Sequence, residues 1–251
     1  MHDAPSGRLV VLMGPSCVGK SPLQKALVRL RPDLHDGLQP VVLYNSRPPR
    51  PGERDGVDYH FRPRDAIDAL RGEDRYVVQE VRGDLQALDV QAVLDGLEAS
   101  DLFYEGNPFV GETLLSHPRL APVRRLSVFL SPVSREEYER FTTPEAGIDA
   151  AALVTDLMRR KLLRRMRRQK GELSLPDLEE VERRAGSAWG ELAGARLCDH
   201  VLPNHDGEDS EHWDAFAEPV GDAGRAFRSF VDLLEGRAPS HAERWDDLAL
   251  P

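Results

Sequence analysis

Residues 14–21 read Gly14-Pro-Ser-Cys-Val-Gly-Lys-Ser21, and they follow directly on a continuous apolar run at residues 9–13. Such a run is typical of a strand buried in a parallel sheet. Residues 20–30 come next, and their apolar side chains recur with helical spacing. A strand, a turn that matches G-x-x-x-x-G-K-[ST] and a helix together predict a loop that binds phosphate groups.

Each residue type in this loop has a chemical purpose. Glycines let the backbone turn so that several N–H groups point at one anion, and the positive end of the following helix faces the same place. Lys20 is expected to neutralise the β- and γ-phosphates and to act in catalysis, and the Ser21 hydroxyl to bind Mg²⁺. A chance match in a solvated turn is the alternative, but it leaves the flanking strand and helix unexplained. The residues predicted to bind an ATP-type donor are Gly14, Pro15, Ser16, Cys17, Val18, Gly19, Lys20 and Ser21.

The bulk composition argues against several classes of protein. The chain has 251 residues, 40% hydrophobic and 30% charged, which suits one soluble α/β domain with insertions or a small lid. Its net charge of −10 argues against a nucleic-acid partner. Its two cysteines, Cys17 and Cys198, have neither metal-ligand spacing nor a disulfide framework. No run approaches the roughly 18 apolar residues of a membrane span, so we expect a cytoplasmic protein without a membrane partner. The sequence does not indicate an oligomeric state.

A second motif covers residues 46–61 and reads Ser46-Arg-Pro-Pro-Arg-Pro-Gly-Glu-Arg-Asp-Gly-Val-Asp-Tyr-His-Phe61. It resembles the acceptor-binding segment of guanylate kinases, where T-T-R-x-P-R-x-G-E-x-x-G-x-D-Y-x-F is typical. The resemblance implies that Arg47, Arg50 and Tyr59 bind the phosphate of the acceptor. The chemistry agrees, because two guanidinium groups and a phenol suit a phosphoryl dianion. An exposed, basic, proline-rich turn that binds nothing is the alternative.

The resemblance covers most of residues 8–235 and implies a three-layer α/β fold of the P-loop kinase type. Strands that alternate with helical segments independently favour a parallel sheet with crossover helices. The expected parts are a core (8–40, 98–140 and 195–235), a small acceptor-binding subdomain (41–97), a helical lid (141–192) with an insertion at 142–157, and a loose tail (236–251).

The part of the acceptor site that would recognise a base departs from the family. Guanylate kinases carry F-[IL]-E-x-A-x-x-x-G-x-x-Y-G-[ST]; here the base-binding glutamate falls on Val77, and the small hydroxyl residue falls near Leu88. Leu43 stands where serine is common, and Glu105 and Asn107 stand where the family has two aspartates. A site that loses such partners loses selectivity by orders of magnitude. We therefore predict a small acceptor with a phosphate or phosphonate head.

Two alternatives stay open. The chain could be a true guanylate kinase that converts GMP to GDP, since Gln79 or Glu80 would contact the base if the register shifted by a few residues. It could also be an inactive scaffold that binds protein, although the intact phosphate loop argues against this. If the nucleophile is a hydroxyl, Glu105 or Glu80 would serve as its base. The residues predicted to bind substrate are Arg47, Arg50, Tyr59, Glu80, Glu105 and Asn107.

Eight lysines and arginines occur within residues 159–170. The resemblance implies that this segment is the lid, whose arginines stabilise charge on the transferring phosphoryl group. We take Arg168 and Arg183 as the catalytic candidates beside Lys20. A solvated helix paired with the acidic residues 172–182 is the alternative. Asn204 resembles the residue of the family that borders the donor adenine, although a proline–asparagine pair is also an ordinary turn.

Pro22 yields a prediction about the donor, because proline lacks the N–H and the hydroxyl that could contact an α-phosphate here. We expect Pro22→Thr to bind MgATP about tenfold more tightly, the order of one hydrogen bond to a charged group. Calorimetric titration of both proteins measures this, and equal affinities would reject the explanation.

Overall fold

The molecule is built around a parallel sheet whose middle strand leads into the phosphate loop. The computed structural model describes residues 5–50 and 52–251. Five strands lie side by side in the order β2-β7-β1-β8-β9, and every neighbouring pair is parallel. Their bounds are β1 (Arg8–Met13), β2 (Leu38–Pro40), β7 (Asp101–Gly106), β8 (Arg124–Ser131) and β9 (His200–Pro203).

Nine α-helices are found within the described ranges. Two opposite faces of the core sheet are covered, since Phe103 of β7 packs on Phe230 of one helix, and Met13 of β1 lies against Gly111 of another. The helices are α1 (Lys20–Leu30), α2 (Pro32–His35), α3 (Arg64–Asp68), α4 (Val90–Ala99), α5 (Pro108–Ser116), α6 (Arg135–Thr142), α7 (Ala150–Lys170), α8 (Leu175–Glu191) and α9 (Gly221–Leu234). The predicted three-layer α/β fold is thereby confirmed.

A second, smaller sheet lies between β2 and α4 in the chain. Its strands run in the order β4-β3-β6-β5, with β3 and β4 parallel and the β5–β6 hairpin antiparallel. One face packs on α3, where Ile67 of the helix lies against Leu85 and Ala87 of β6. The other face is turned toward the phosphate loop. The bounds are β3 (Leu43–Asn45), β4 (Tyr59–Phe61), β5 (Tyr76–Val81) and β6 (Asp84–Asp89).

The segment expected to be an insertion begins the lid. A capping box begins α6, with Ser134 and Glu137 satisfying each other's backbone N–H groups. After a short turn, α7 begins at Ala150, and its Val154 and Met158 are fully buried. Helix α7 packs lengthwise on α8. No helix within residues 5–50 and 52–251 is both long enough and apolar enough to cross a membrane.

The C-terminal segment is packed, contrary to the expected loose tail. Glu243 pairs with Val201 through two backbone hydrogen bonds of 2.8 and 2.9 Å and adds a bridge beside β9. Trp245 is completely buried, and its ring lies 5.4 Å from that of Tyr138. The Tyr138 hydroxyl donates to the carbonyl of Ala249 at 2.7 Å. One aromatic residue therefore fixes a segment whose composition is otherwise polar.

This packing makes Trp245 a test of the tail. Replacing a fully buried tryptophan with alanine removes its contacts and leaves a cavity, so Trp245→Ala should lower the free energy of unfolding by about 3–5 kcal/mol. Urea denaturation followed by circular dichroism measures the change. A loss below about 1 kcal/mol would show that the tail contributes little to stability.

Candidate active site

The phosphate loop adopts a backbone that its glycines make possible. Gly14 and Gly19 have φ of 156° and 110°. A Cβ on Gly14 would lie 2.3 Å from the carbonyl oxygen of Leu130. A Cβ on Gly19 would lie 2.5 Å from Asn204 Nδ2 and 2.8 Å from the ring of Trp213. Larger residues are therefore excluded by both conformation and space.

Lys20 spans this loop from the first turn of α1. Its Nζ donates to the carbonyl oxygens of Gly14 and Pro15 at 2.9 and 2.8 Å, and the side chain is buried. Burial lowers the pKa of Lys20, and the nearby carboxylate of Glu105 opposes that shift. Burial likewise raises the pKa of Glu105, with Lys20 acting in the other direction. A buried cation and a partly buried carboxyl group thus lie close together beside the loop.

Asn204 braces the loop from the end of β9. Its Nδ2 donates to the carbonyl oxygens of Val18 and Asp206, both at 2.7 Å, and the side chain is completely buried. The following segment also touches the loop, since the Glu208 N–H donates to the Cys17 carbonyl at 3.1 Å. The predicted contact of Asn204 with the donor adenine stays a prediction.

The arginine-rich loop is preorganised by Glu53. The guanidinium of Arg47 makes a bidentate pair with this carboxylate at 2.6 and 2.7 Å, and it lies 5.1 Å from the ring centroid of Tyr59. The N–H of Arg50 donates to the same carboxylate at 2.7 Å. Arg50 also approaches Glu180 of α8 at 3.8 Å. The loop therefore holds both guanidinium groups toward one space.

Asn107 and Gln86 form the far wall of that space. Asn107 caps α5 by accepting from the N–H of Val110 at 3.0 Å, and its Nδ2 donates to Gln86 Oε1 at 3.2 Å.

Glu80 does not lie in this space. Side chains alternate along a strand, so Val81 lines the cleft whereas Glu80 faces away, exposed and paired with Arg64 at 3.2 Å. The sequence expectation for Glu80 is corrected on this ground.

One cleft of about 1200 Å³ lies between the core, the small sheet and the lid, and its lining includes Lys20, Arg47, Arg50, Tyr59, Gln86, Glu105 and Asn107. Arg82, Arg165 and Arg184 also converge there. Burial and the neighbouring guanidinium groups of Arg50, Arg165 and Arg82 lower the pKa of Arg184. Arginine rarely loses its proton in a protein, so this crowding is relieved most simply by an anion placed among the guanidinium groups.

The two lid arginines chosen from the sequence line the same cleft at its edge. Arg168 and Arg183 have side chains that are each 53% exposed, and they pair with Glu211 and Glu180. Arg165 and Arg184 lie deeper, at 19% and 12%. Arg184 lies on the buried face of α8, because the buried Val181 precedes it by three residues and the buried Ala188 follows it by four. Helical spacing therefore favours Arg184 over Arg183 as the arginine of α8 that reaches into the cleft. Roles for Arg168 and Arg183 stay predictions.

Comparison with known proteins agrees with this geometry. A family model described as guanylate kinase matches residues 6–77. A guanylate kinase of Alkalilimnicola ehrlichii is 30% identical over 249 residues, covering 96% of this chain and 98% of the relative. The chain belongs to the guanylate kinase family. A guanylate kinase of a Synechococcus strain is 32% identical over 190 residues, covering 69% of this chain and 73% of the relative.

A crystal structure of guanylate kinase from Anaplasma phagocytophilum aligns with 80% of this chain and 79% of its own, with a TM-score of 0.49 and 18% identity. The family assignment follows from the sequence relatives. As a member of the guanylate kinase family with an intact phosphate loop, the protein is a P-loop phosphotransferase. The predictions of the family and of the enzyme class are confirmed.

The geometry around Gly19 predicts a sharp effect of one methyl group. Gly19→Ala should weaken MgATP binding about 5–150-fold, since strain of about 1–3 kcal/mol at the loop is expected from overpacking. Gly147→Ala is the matched control, because Gly147 also has a positive φ (60°) but open space around it. Calorimetric titration of both variants separates backbone strain from the clash. Equal affinities for the two variants would contradict the account.

Proposed function

We propose that this protein transfers the γ-phosphoryl group of ATP to GMP. The observation that carries the proposal is that the phosphate loop and the Arg47–Arg50 loop open into one cleft. The relatives named guanylate kinase support GMP as the acceptor. An inactive protein-binding scaffold is disfavoured, because Lys20 is held across the loop by two carbonyl oxygens.

The residues of the phosphate loop suit a magnesium nucleotide. A Cβ at Gly14 would meet the Leu130 carbonyl, and one at Gly19 would meet Asn204 and Trp213, so only glycine fits at these two positions of the loop. Lys20 is a buried cation beside that backbone, and Ser21 lies in the first turn of α1, where a hydroxyl can hold Mg²⁺. Bound Mg²⁺ would supply charge neutralisation between the phosphates. ATP and Mg²⁺ are accordingly the cofactors we propose.

The acceptor phosphate fits the opposite side of the cleft. Arg47 and Arg50 would bind its oxygens, and Tyr59, which lies under Arg47, would donate its hydroxyl. Glu53 fixes the guanidinium of Arg47 and the backbone of Arg50 before the acceptor arrives, so little side-chain entropy of Arg47 is lost on binding. A phosphate oxygen of GMP is already ionised near neutral pH, and its attack requires no general base.

Amide groups would recognise guanine in place of the usual acids. Leu43 and Leu88 are buried in the core and offer no polar atom. Gln86 and Asn107 line the cleft and are joined to each other at 3.2 Å. Guanine presents both hydrogen-bond donors and acceptors on one edge, and an amide side chain offers both. This arrangement permits guanine without the carboxylate selectivity of the family pattern.

Apolar residues stand where guanylate kinases have polar residues that bind the base, and this supports a second candidate acceptor. Leu43, Val77 and Leu88 leave the family's base-binding positions without a polar group, so the body of the acceptor need not be a base, and the same arginines would hold its phosphate or phosphonate head. This candidate differs from the first only in the body of the acceptor. Lid closure would bring Arg165 and Arg184 over the transferring group in either case, where they would stabilise charge and exclude water.

A coupled assay with GMP, AMP, CMP and small alkyl phosphonates tests the proposal. We expect GMP to be the best acceptor and Lys20→Ala to abolish turnover. Faster turnover with a phosphonate than with GMP would favour the second candidate. No turnover with any acceptor would contradict both.

Arg50 gives a test of the acceptor phosphate site. Arg50→Ala should raise the KM for the acceptor about 10–100-fold, the order of one lost charge-assisted interaction, and leave the KM for ATP within twofold. Arg54→Ala is the control, because Arg54 is an exposed arginine of the same loop outside the cleft lining. Equal shifts in both KM values would place Arg50 elsewhere than at the acceptor.

A further inference from the structure

The turn of the β5–β6 hairpin carries an arginine in an unfavourable conformation. Arg82 has φ of 55° and Gly83 has φ of 93°, so both turn residues are left-handed. Such turns favour asparagine or glycine, because a Cβ in the left-handed region is strained. A long side chain at this position therefore needs a compensating interaction.

That interaction is with the lid. Arg82 Nε donates to Glu191 Oε1 at 3.0 Å and to Ser187 Oγ at 3.2 Å, across more than a hundred residues of sequence. The Ser187 hydroxyl donates to the same carboxylate oxygen at 2.7 Å. The Glu191 side chain is completely buried, and that of Arg82 is 15% exposed. Removing one partner of such a pair leaves a buried charge without compensation.

The face of α8 that receives Arg82 also carries a cleft arginine. Arg184, Ser187 and Glu191 are spaced by three and four residues, so they lie on one side of the helix. Arg82 and Arg184 both line the cleft, and Arg82 is one of the charges that lower the pKa of Arg184. The hairpin of the acceptor sheet is thus fastened to the helix that presents Arg184.

We propose that Arg82 is a positioning residue that couples the acceptor sheet to the lid. When the acceptor loop and its sheet close around the acceptor phosphate, the hairpin rotates α8 about its last turn and brings Arg184 to the transferring group. The inference rests on the phosphoryl transfer proposed above. It predicts that losing Arg82 affects the chemical step more than the binding of ATP.

Arg82→Gly is the informative variant, because glycine suits the left-handed turn and keeps the hairpin intact. We expect kcat to fall about 10–100-fold, as for misplacement of a catalytic group, with the KM for ATP unchanged within twofold. Hydrogen exchange of the ligand-free protein should show amides of residues 184–191 exchanging about tenfold faster, with residues 76–89 unchanged. Glu191→Gln should give intermediate values for both quantities.

Arg64→Ala is the control, since Arg64 holds the same hairpin through the Gly83 carbonyl at 2.9 Å but contacts no lid residue within the described chain. Unchanged kcat and unchanged exchange in Arg82→Gly would overturn the proposal. A raised acceptor KM with normal kcat would also overturn it, by making Arg82 an acceptor ligand. If wild type fails to phosphorylate GMP, the proposed function fails, whereas the exchange of residues 184–191 still decides the coupling.

Discussion

The shape of the phosphate loop depends on the side-chain amide of Asn204, which donates a hydrogen bond to a backbone carbonyl of the loop. Asn204 fixes the Val18 carbonyl from the end of β9, and the space it occupies is the space that a side chain on Gly19 would need. The loop, the last core strand and Trp213 therefore form one rigid unit. Lys20 and Ser21 follow immediately, so the position of the cation and of the hydroxyl depends on the same contact.

The cleft beside this loop concentrates positive charge on an acidic protein. Seven arginines line it, namely Arg47, Arg50, Arg82, Arg165, Arg168, Arg183 and Arg184, while the chain as a whole has a net charge of −10. Carboxylates hold several of these arginines in place, as Glu53 does for Arg47 and Glu191 for Arg82. Carboxylates of the protein thus fix the guanidinium groups. The repulsion among the guanidinium groups favours the binding of a phosphate between them.

Local patterns predicted the parts of the site that are continuous in sequence. The phosphate loop and the Arg47–Arg50 loop were recognisable because each is a run of residue types with fixed spacing. Strand β6 (Asp84–Asp89) was not predicted, because five of its six residues are buried and the alternation that marks a half-exposed strand is absent. Arg82 was missed for another reason, since its partners lie more than a hundred residues away. Trp245 was likewise missed, because it is a single aromatic residue in a polar segment and the core residues that bury it, Tyr138 among them, are distant in sequence.

The aromatic contacts at the base of the lid determine how the lid can move. Tyr138 stacks on Trp189 at 5.9 Å and at an angle of 16°, and Trp245 lies against the same tyrosine. Helix α8 is therefore fixed near its last turn, whereas its first residue, Leu175, is 69% exposed. About 14 residues of helix separate these ends, or roughly 20 Å at 1.5 Å per residue. A rotation of a few degrees about the aromatic stack would therefore displace the turn between α7 and α8 by roughly 1–2 Å.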